Sequence, residues 1–325
     1  MKGTHRVTVE TDNIKYEFAI RRSITVIQGD SATGKTTLID ILNEYSNKGS
    51  GRGIRVQTDV PCYVYVGAEE RWEYELNAIK GNIVFIDEDY RFIHTKEFAD
   101  FIQGTDNYYV LITRKPLYYL PYSINEIYGI KTSGKYHFPE QVYHEFYPIF
   151  NDVYDNHKTS TALILVEDSK AGYEFYASIV GKNRCITSGG NSGIYSKLVE
   201  LKSTEEILVI ADGAAFGAYI EKLSEYRRIR KHIALYFPES FEWMILKSDV
   251  AKIPDITTIL AHPEKYIDNT EYFSWEQFFT ALLIEKTKDD PQKRYNKEKL
   301  SEYYKGKNTE KILYVMPEEI RKMII

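Results

Sequence analysis

The octapeptide Gly29-Asp30-Ser31-Ala32-Thr33-Gly34-Lys35-Thr36 constrains this chain more than any other feature. It fits the spacing G-x-x-x-x-G-K-[ST] in full, and a second threonine, Thr37, follows. The apolar run 23–28 (SITVIQ) precedes it and a helical pattern from residue 34 to about 45 follows, so the segment reads as strand, tight loop and helix. Glycines at both ends let the backbone turn its N–H groups onto an anion, which a Cβ would oppose. The helix that the loop opens adds partial positive charge at the same point. Lys35 then supplies a point charge for the outer phosphates of a nucleotide, and the Thr36 hydroxyl an oxygen ligand for Mg²⁺. Positions 29–37 as a whole form the expected nucleotide contact.

Such a loop needs an acidic partner at the end of a neighbouring strand. Residues 83–88 (IVFIDE) supply one. Asp87 is the expected Mg²⁺ partner and Glu88 the group that orients or activates water. The next apolar run, 107–113 (NYYVLIT), ends at Thr113-Arg114, where a guanidinium can sense the terminal phosphate or, equally, form a surface ion pair. The expected catalytic set is therefore Glu88, Lys35 and Arg114, with ATP and Mg²⁺ as cofactors. An adjacent Asp-Glu pair favours hydrolysis over transfer to a small acceptor; a small-molecule kinase is the reading it argues against.

Around these motifs the chain alternates strand and helix patterns, which predicts an α/β protein with mostly parallel sheets. Residues 6–10 and 14–20 alternate like a hairpin about Thr11-Asp12-Asn13, and 61–66 and 95–103 read as strand and helix. The polar stretch 150–160 reads as a linker. Beyond it a second series begins: strands at 161–167, 183–189, 205–212 and 232–237, with helices at 169–181, 191–201 and 215–228. From about residue 264 the chain looks helical and charged. The predicted division is a first domain at 1–150, a second at 151–262 and a helical C-terminal appendage at 263–325, in keeping with roughly 100–200 residues per domain.

In the second series, acids close the strands: Glu167-Asp168, then Asp212, then Glu239 and Glu242. Carboxyl ends of adjacent parallel strands share one edge, so carboxylates there can gather Mg²⁺ or Mn²⁺. Acids at helix N-termini, where they stabilise the helix dipole, are the alternative. The order LVEDSKAGYEFYASIV, Ile186-Thr187-Ser188-Gly189-Gly190-Asn191 and LVIADGA resembles the Toprim fold of topoisomerases, primases and several nucleases. Glu167 stands in the glutamate position and Asp212 in that of the first aspartate. A P-loop ATPase followed by a Toprim-like, Rossmannoid domain resembles the overcoming-lysogenization-defect (OLD) family and related phage-defence proteins, over residues 1 to about 250. The resemblance implies an ATP-controlled effector for nucleic-acid processing, with metal ligands Thr36, Asp87, Glu167 and Asp212. Two departures stand out. The interval of about fifty residues between Thr37 and Asp87 leaves no room for an ABC-type arm and signature segment, and Ala214 occupies the place of the second Asp of Asp-x-Asp. Two-metal cleavage needs several carboxylates, so a catalytically inactive nucleic-acid or protein-interaction module under nucleotide control stays open.

Net charge is −5, so any nucleic-acid contact must be local. Candidates are 227–232 (RRIRKH) and the run Lys293, Arg294, Lys297, Lys299, Lys305 and Lys307, interleaved with Tyr295, Tyr303 and Tyr304. Cations among aromatics can track a phosphate backbone and stack on bases; a solvated helix face is the alternative. Two isolated cysteines, no secretory pattern at the start and no apolar stretch of about 18 residues lead to the expectation of a cytoplasmic protein without membrane contact. A homo-oligomer or a partner effector protein is compatible with all of this.

Overall fold

A computed structural model describes residues 1–29, 33–48, 53–132, 142–150, 162–201 and 205–325. The chain is α/β and divides into two units, one of residues 1–151 and 262–274, the other of residues 152–261 and 275–325. The segment that the sequence set apart as a C-terminal appendage is thus shared out. Residues 262–274 join the first unit, where Gly3 N donates to the Glu264 carbonyl and the Asn269 amide donates to the carbonyls of Thr105 and Asn107. Residues 275–325 join the second. The expected linker lies outside the described residues except for Phe150.

The first unit is built on a nine-stranded sheet in the order β4-β1-β2-β9-β8-β3-β7-β6-β5. Its strands are β1 (His5–Glu10), β2 (Ile14–Ile20), β3 (Ile24–Ile27), β4 (Arg55–Gln57), β5 (Cys62–Val64), β6 (Ile83–Ile86), β7 (Tyr108–Ile112), β8 (Ile127–Thr132) and β9 (Val142–Pro148). Helix α1 (Lys35–Lys48) follows β3, and α2 (Trp72–Asn77) and α3 (Lys96–Gln103) precede β6 and β7. The β1–β2 hairpin forms as expected: Thr11 Oγ1 accepts from the Asn13 and Ile14 amides and closes the turn. Strands β3, β6 and β7 are buried at every residue, which is why they read as unbroken apolar runs. Leu38, Ile39 and Leu42 of α1 pack into the core with Ile27, Phe85, Val110 and Ile112.

The sheet is mixed, and most of its pairings, that of β2 with β9 among them, are parallel. Strands β5, β6, β7, β3 and β8 run parallel, whereas β1 pairs antiparallel with β2 and β4, and β8 with β9. Strands β4, β8 and β9 had no counterpart in the sequence reading. In β9 (VYHEFYP) only Tyr147 is exposed and the other side chains are half-buried, so no period-2 contrast marks it.

The second unit carries a four-stranded parallel sheet, β10 (Leu163–Val166), β11 (Cys185–Thr187), β12 (Ile207–Ile210) and β13 (Ile233–Tyr236), in the order β11-β10-β12-β13. Helices α4 (Ala171–Val180), α5 (Gly193–Leu201) and α6 (Gly217–Ile229) form the crossovers. Beyond β13 follow α7 (Phe241–Lys247), α8 (Ile256–Ala261) and α9 (Trp275–Thr287). Among the described residues no helix is long and apolar enough to cross a membrane.

Candidate functional sites

The glycine-rich loop leaves β3 and enters α1. Gly29 and Gly34 have φ of +133° and +96°, the left-handed region that disfavours a side chain. A Cβ on Gly34 would also stand 2.8 Å from the Tyr16 hydroxyl. That hydroxyl donates to the Gly34 carbonyl at 2.9 Å, and the same carbonyl accepts Leu38 N in the first turn of α1. Burial pushes the Tyr16 hydroxyl up to about 12, with a hydrogen bond to Thr37 opposing it, so it remains a donor at neutral pH. Its ring stacks on His144 of β9 at 4.6 Å, and the His144 ring edge lies 3.3 Å from where a Gly34 Cβ would sit. Tyr16 and His144 thus form a floor beneath the second half of the loop. The sequence reading missed both, because they come from distant strands that meet only in the β2–β9 register, Tyr16 beside His144.

Lys35 opens α1 and is buried, 6% exposed. Its Nζ donates to the Gly29 carbonyl at 2.6 Å and to Thr33 Oγ1 at 3.2 Å, which draws the two ends of the loop together. Thr36 is exposed and Thr37 half-buried. Asp30, Ser31 and Ala32, expected as further nucleotide contacts, lie outside the described residues.

Asp87 and Glu88 follow β6. Strand β7 lies between β3 and β6, with Ile27 beside Ile112 and Leu111 beside Ile86. Two strand spacings, about 10 Å, therefore separate the lysine strand from the acidic strand. Burial raises the Asp87 carboxyl; the Glu88 amide, donating to Asp87 Oδ1 at 2.7 Å, opposes this, and the charges of Asp89, Glu88 and Asp40 add to it. Asp40 lies on α1, so the loop helix and the acidic strand end share one electrostatic neighbourhood. Arg114, at the end of β7, closes a two-pronged ion pair on Glu88: Nε to Oε2 and a terminal nitrogen to Oε1, both at 2.9 Å. The residues expected from sequence to act together, Lys35, Asp87, Glu88 and Arg114, all stand at the carboxyl ends of β3, β6 and β7 or in the first turn beyond.

In the second unit Glu167 and Asp212 end the neighbouring strands β10 and β12 and touch. The Asp212 amide donates to Glu167 Oε2 at 2.9 Å, and Asp212 Oδ1 accepts the Phe241 amide at 3.1 Å. The turn Ser188-Gly189-Gly190 brings Asn191 over the same carboxylate: Gly190 N donates to the Glu167 carbonyl, and the Asn191 amide, with its nitrogen turned inward, reaches both Glu167 oxygens at 3.1 and 2.9 Å. Asp168 serves differently. Its oxygens accept the amides of Lys170, Gly172 and Tyr173 and hold the start of α4. Glu239 offers its carbonyl to the Ala214 amide, whereas Glu242 enters the cluster with its side chain buried and accepting from the Tyr295 hydroxyl at 2.7 Å.

Two further members come from beyond residue 263. Glu276 of α9 couples electrostatically to Asp212 and Glu167, and Lys297 donates to Glu276 at 2.9 Å. Burial raises Glu167 to about 8, opposed by the Asp212 amide and increased by Glu276. Asp212 is raised strongly by burial and by Glu276, Glu167 and Glu242; Glu242 is raised by burial, against Lys297 and Tyr295. Burial pulls Lys297 down, but Glu242, Glu276 and Asp212 outweigh it and hold the ammonium charged. Beside Glu167 and Asp212 lies a cleft of about 20 Å³ that Asp168, Tyr176, Pro238 and Phe241 also line, room for one water or one bare ion. Among the described residues no group of three or more His, Cys, Asp or Glu side chains is disposed to hold a metal. The cluster instead contains a lysine.

Of the C-terminal basic run, which the sequence left open between a nucleic-acid face and a solvated helix face, Arg294, Lys299 and Lys307 are exposed and other members turn into the unit. Tyr295 and Tyr304 are buried, Tyr303 donates to the Val250 carbonyl, Lys297 enters the carboxylate cluster, and Lys305 pairs with Glu302 and Glu174. Rings of that size gain more from burial in the core than from solvent, so this run offers no row of stacking faces. Comparison with protein-family models, with curated proteins and with solved structures finds no match for this chain.

Proposed function

We propose that the first unit binds ATP·Mg²⁺ at the glycine-rich loop and hydrolyses it, and that this cycle governs a Toprim-like effector in the second unit. One observation carries the nucleotide reading: Lys35 bridges the loop ends at the mouth of α1 while Asp87, Glu88 and Arg114 end the next two strands on the same edge. In a nucleotide complex the loop amides and the start of α1 hold the phosphates, and Lys35 exchanges the Gly29 carbonyl for phosphate oxygen. Thr36 and Asp87, both hard oxygen donors, would hold Mg²⁺, which supplies charge neutralisation between the outer phosphates. Arg114 reaches the terminal phosphate from the end of β7. Glu88, once its oxygens are released from Arg114, accepts a proton from the attacking water.

The resemblance to OLD-type phage-defence proteins gives this reading its biological sense, nucleic-acid processing in the cytoplasm. The converging Glu167 and Asp212 support the Toprim-like assignment, and Ala214 favours weak or absent cleavage. The test is ADP release by the purified protein with ATP and Mg²⁺ and no added acceptor. Turnover that disappears in Lys35→Ala is expected. ADP formation only in the presence of a small acceptor would overturn hydrolysis in favour of a kinase. DNA or RNA binding without cleavage would mark the second unit as an interaction module.

A further inference from the structure

The Tyr16 hydroxyl meets the loop on both sides of the pair Lys35-Thr36. It donates to the Gly34 carbonyl at 2.9 Å and shares a hydrogen bond with the Thr37 side chain. The Gly34 carbonyl also accepts Leu38 N at 3.0 Å, so both of its lone pairs are engaged, one from α1 and one from β2. Tyr16 has no freedom to leave this post. It is 0% exposed and belongs to the same core cluster as Leu38, and its ring stacks on His144 at 4.6 Å with the planes 14° apart. His144 is placed there by the pairing of β2 with β9.

A bond at that carbonyl acts on the opposite side of the loop. A peptide unit is planar and trans, so its C=O and N–H point in opposite directions. Holding the Gly34 carbonyl towards Tyr16 therefore aims the Lys35 N–H away from the floor, to the side from which the loop amides would receive phosphate oxygens. Gly34, with φ at +96° and no Cβ, does little to restrain the peptide that follows it. The restraint comes instead from a rigid ring on another strand. We propose that Tyr16 is a positioning residue of the nucleotide site, whose hydroxyl sets the Gly34–Lys35 peptide and the start of α1 in the orientation that receives the phosphates of ATP before ATP arrives, a role that rests on the nucleotide reading of the loop. A loop ordered in advance loses less freedom on binding, so a strand pairing far from the loop in sequence contributes to nucleotide affinity.

The test is calorimetric titration of ATP·Mg²⁺ into wild type, Lys35→Ala, Tyr16→Phe and Tyr109→Phe, each at a temperature where circular dichroism shows the protein folded. Tyr16→Phe keeps the ring and its stacking on His144 and removes one oxygen. Its dissociation constant should rise about three- to tenfold, the size of one ordinary hydrogen bond. Tyr109→Phe removes a similarly buried hydroxyl of the same unit, one bonded to Thr105 at 2.9 Å. It should lower the melting temperature and leave affinity within about twofold of wild type. A tyrosine that serves only the core would behave at position 16 as it does at 109. Tyr16→Phe affinity within about twofold of wild type, beside a Lys35→Ala that has lost binding, would therefore overturn the role of Tyr16 and leave the nucleotide reading standing. A wild type that does not bind ATP·Mg²⁺ would overturn both. If Tyr16→Phe fails to fold, His144→Leu decides: it leaves the hydroxyl but removes the ring that backs it, so affinity should fall at least about threefold, and unchanged affinity would overturn the proposal.

Discussion

Replacing Glu88 by glutamine separates catalysis from structure at the first unit's site. The side chain keeps its size, and one amide oxygen still faces Arg114, but the group can no longer take a proton from water. Arg114 and Glu88 are 54% and 31% exposed, and an ion pair that open contributes about 0–1 kcal/mol. For a chain of this size that corresponds to a melting-temperature change below about 4 °C. Loss of a general base costs about 10²–10⁴ in rate, or about 2.7–5.4 kcal/mol of barrier. The expected result is therefore a folded protein that binds ATP and turns it over at least about a hundredfold more slowly, measured by steady-state ADP release beside a fluorescent-nucleotide titration. Arg114→Ala is the control. If Glu88 serves only to hold Arg114, the two variants and their combination lose equal activity. If Glu88 is the base, Glu88→Gln is the slower variant, and adding Arg114→Ala slows it further through the lost phosphate contact. Turnover of Glu88→Gln within threefold of wild type would refute the assignment.

Lys35→Ala should keep the fold, by circular dichroism, and weaken ATP·Mg²⁺ binding about ten- to a hundredfold, the size of a lost charge-assisted contact of about 1.5–3 kcal/mol; unchanged affinity by calorimetry would remove the loop from the site. Gly34→Ala should lower stability by about 1–2 kcal/mol in urea denaturation, because φ is +96° and the new methyl meets Tyr16, whereas the open space around Gly29 confines the effect there to backbone strain. Glu167 has a folded value of about 8 against an ordinary 4.5, so the folded state holds the proton more tightly. Stability should then fall as pH rises from about 4.5 to about 8. Glu167→Gln should flatten that slope in melting curves taken without divalent cations, and a slope equal to wild type would contradict the burial of this carboxyl.

The parts of the fold legible in sequence are those where one segment decides its own environment. Runs such as ITVI and IVFI are buried at each residue because both sheet faces cover them, and the hairpin turn at Thr11 makes its bonds within three residues. The glycine loop is of the same kind, since φ at Gly29 and Gly34 is a local property. Strands β8 and β9 were not legible, because their pairing with β3 and β2 is set by partners about a hundred residues away. Nor was the floor of Tyr16 and His144, whose stacking depends on that register.

The second site shows why charge runs mislead. In one dimension Lys293 to Lys307 is a basic, tyrosine-rich stretch, and such a stretch either coats a helix in water or meets phosphates. Here Arg294, Lys299 and Lys307 stay exposed, while the tyrosines and Lys297 turn into the unit. Tyr295 satisfies Glu242, Tyr304 fills the core, and Lys297 answers carboxylates that lie from 21 residues away, at Glu276, to 85, at Asp212. The acids were visible as strand ends, but their number in space was not: Glu276 belongs to a helix that carries no sign of a site in its own pattern. A cluster of Glu167, Asp212, Glu242 and Glu276 without a cation would drive its own carboxyls to protonate. The chain answers that repulsion with a lysine delivered on a strap and bonded to the helix that Glu167 precedes.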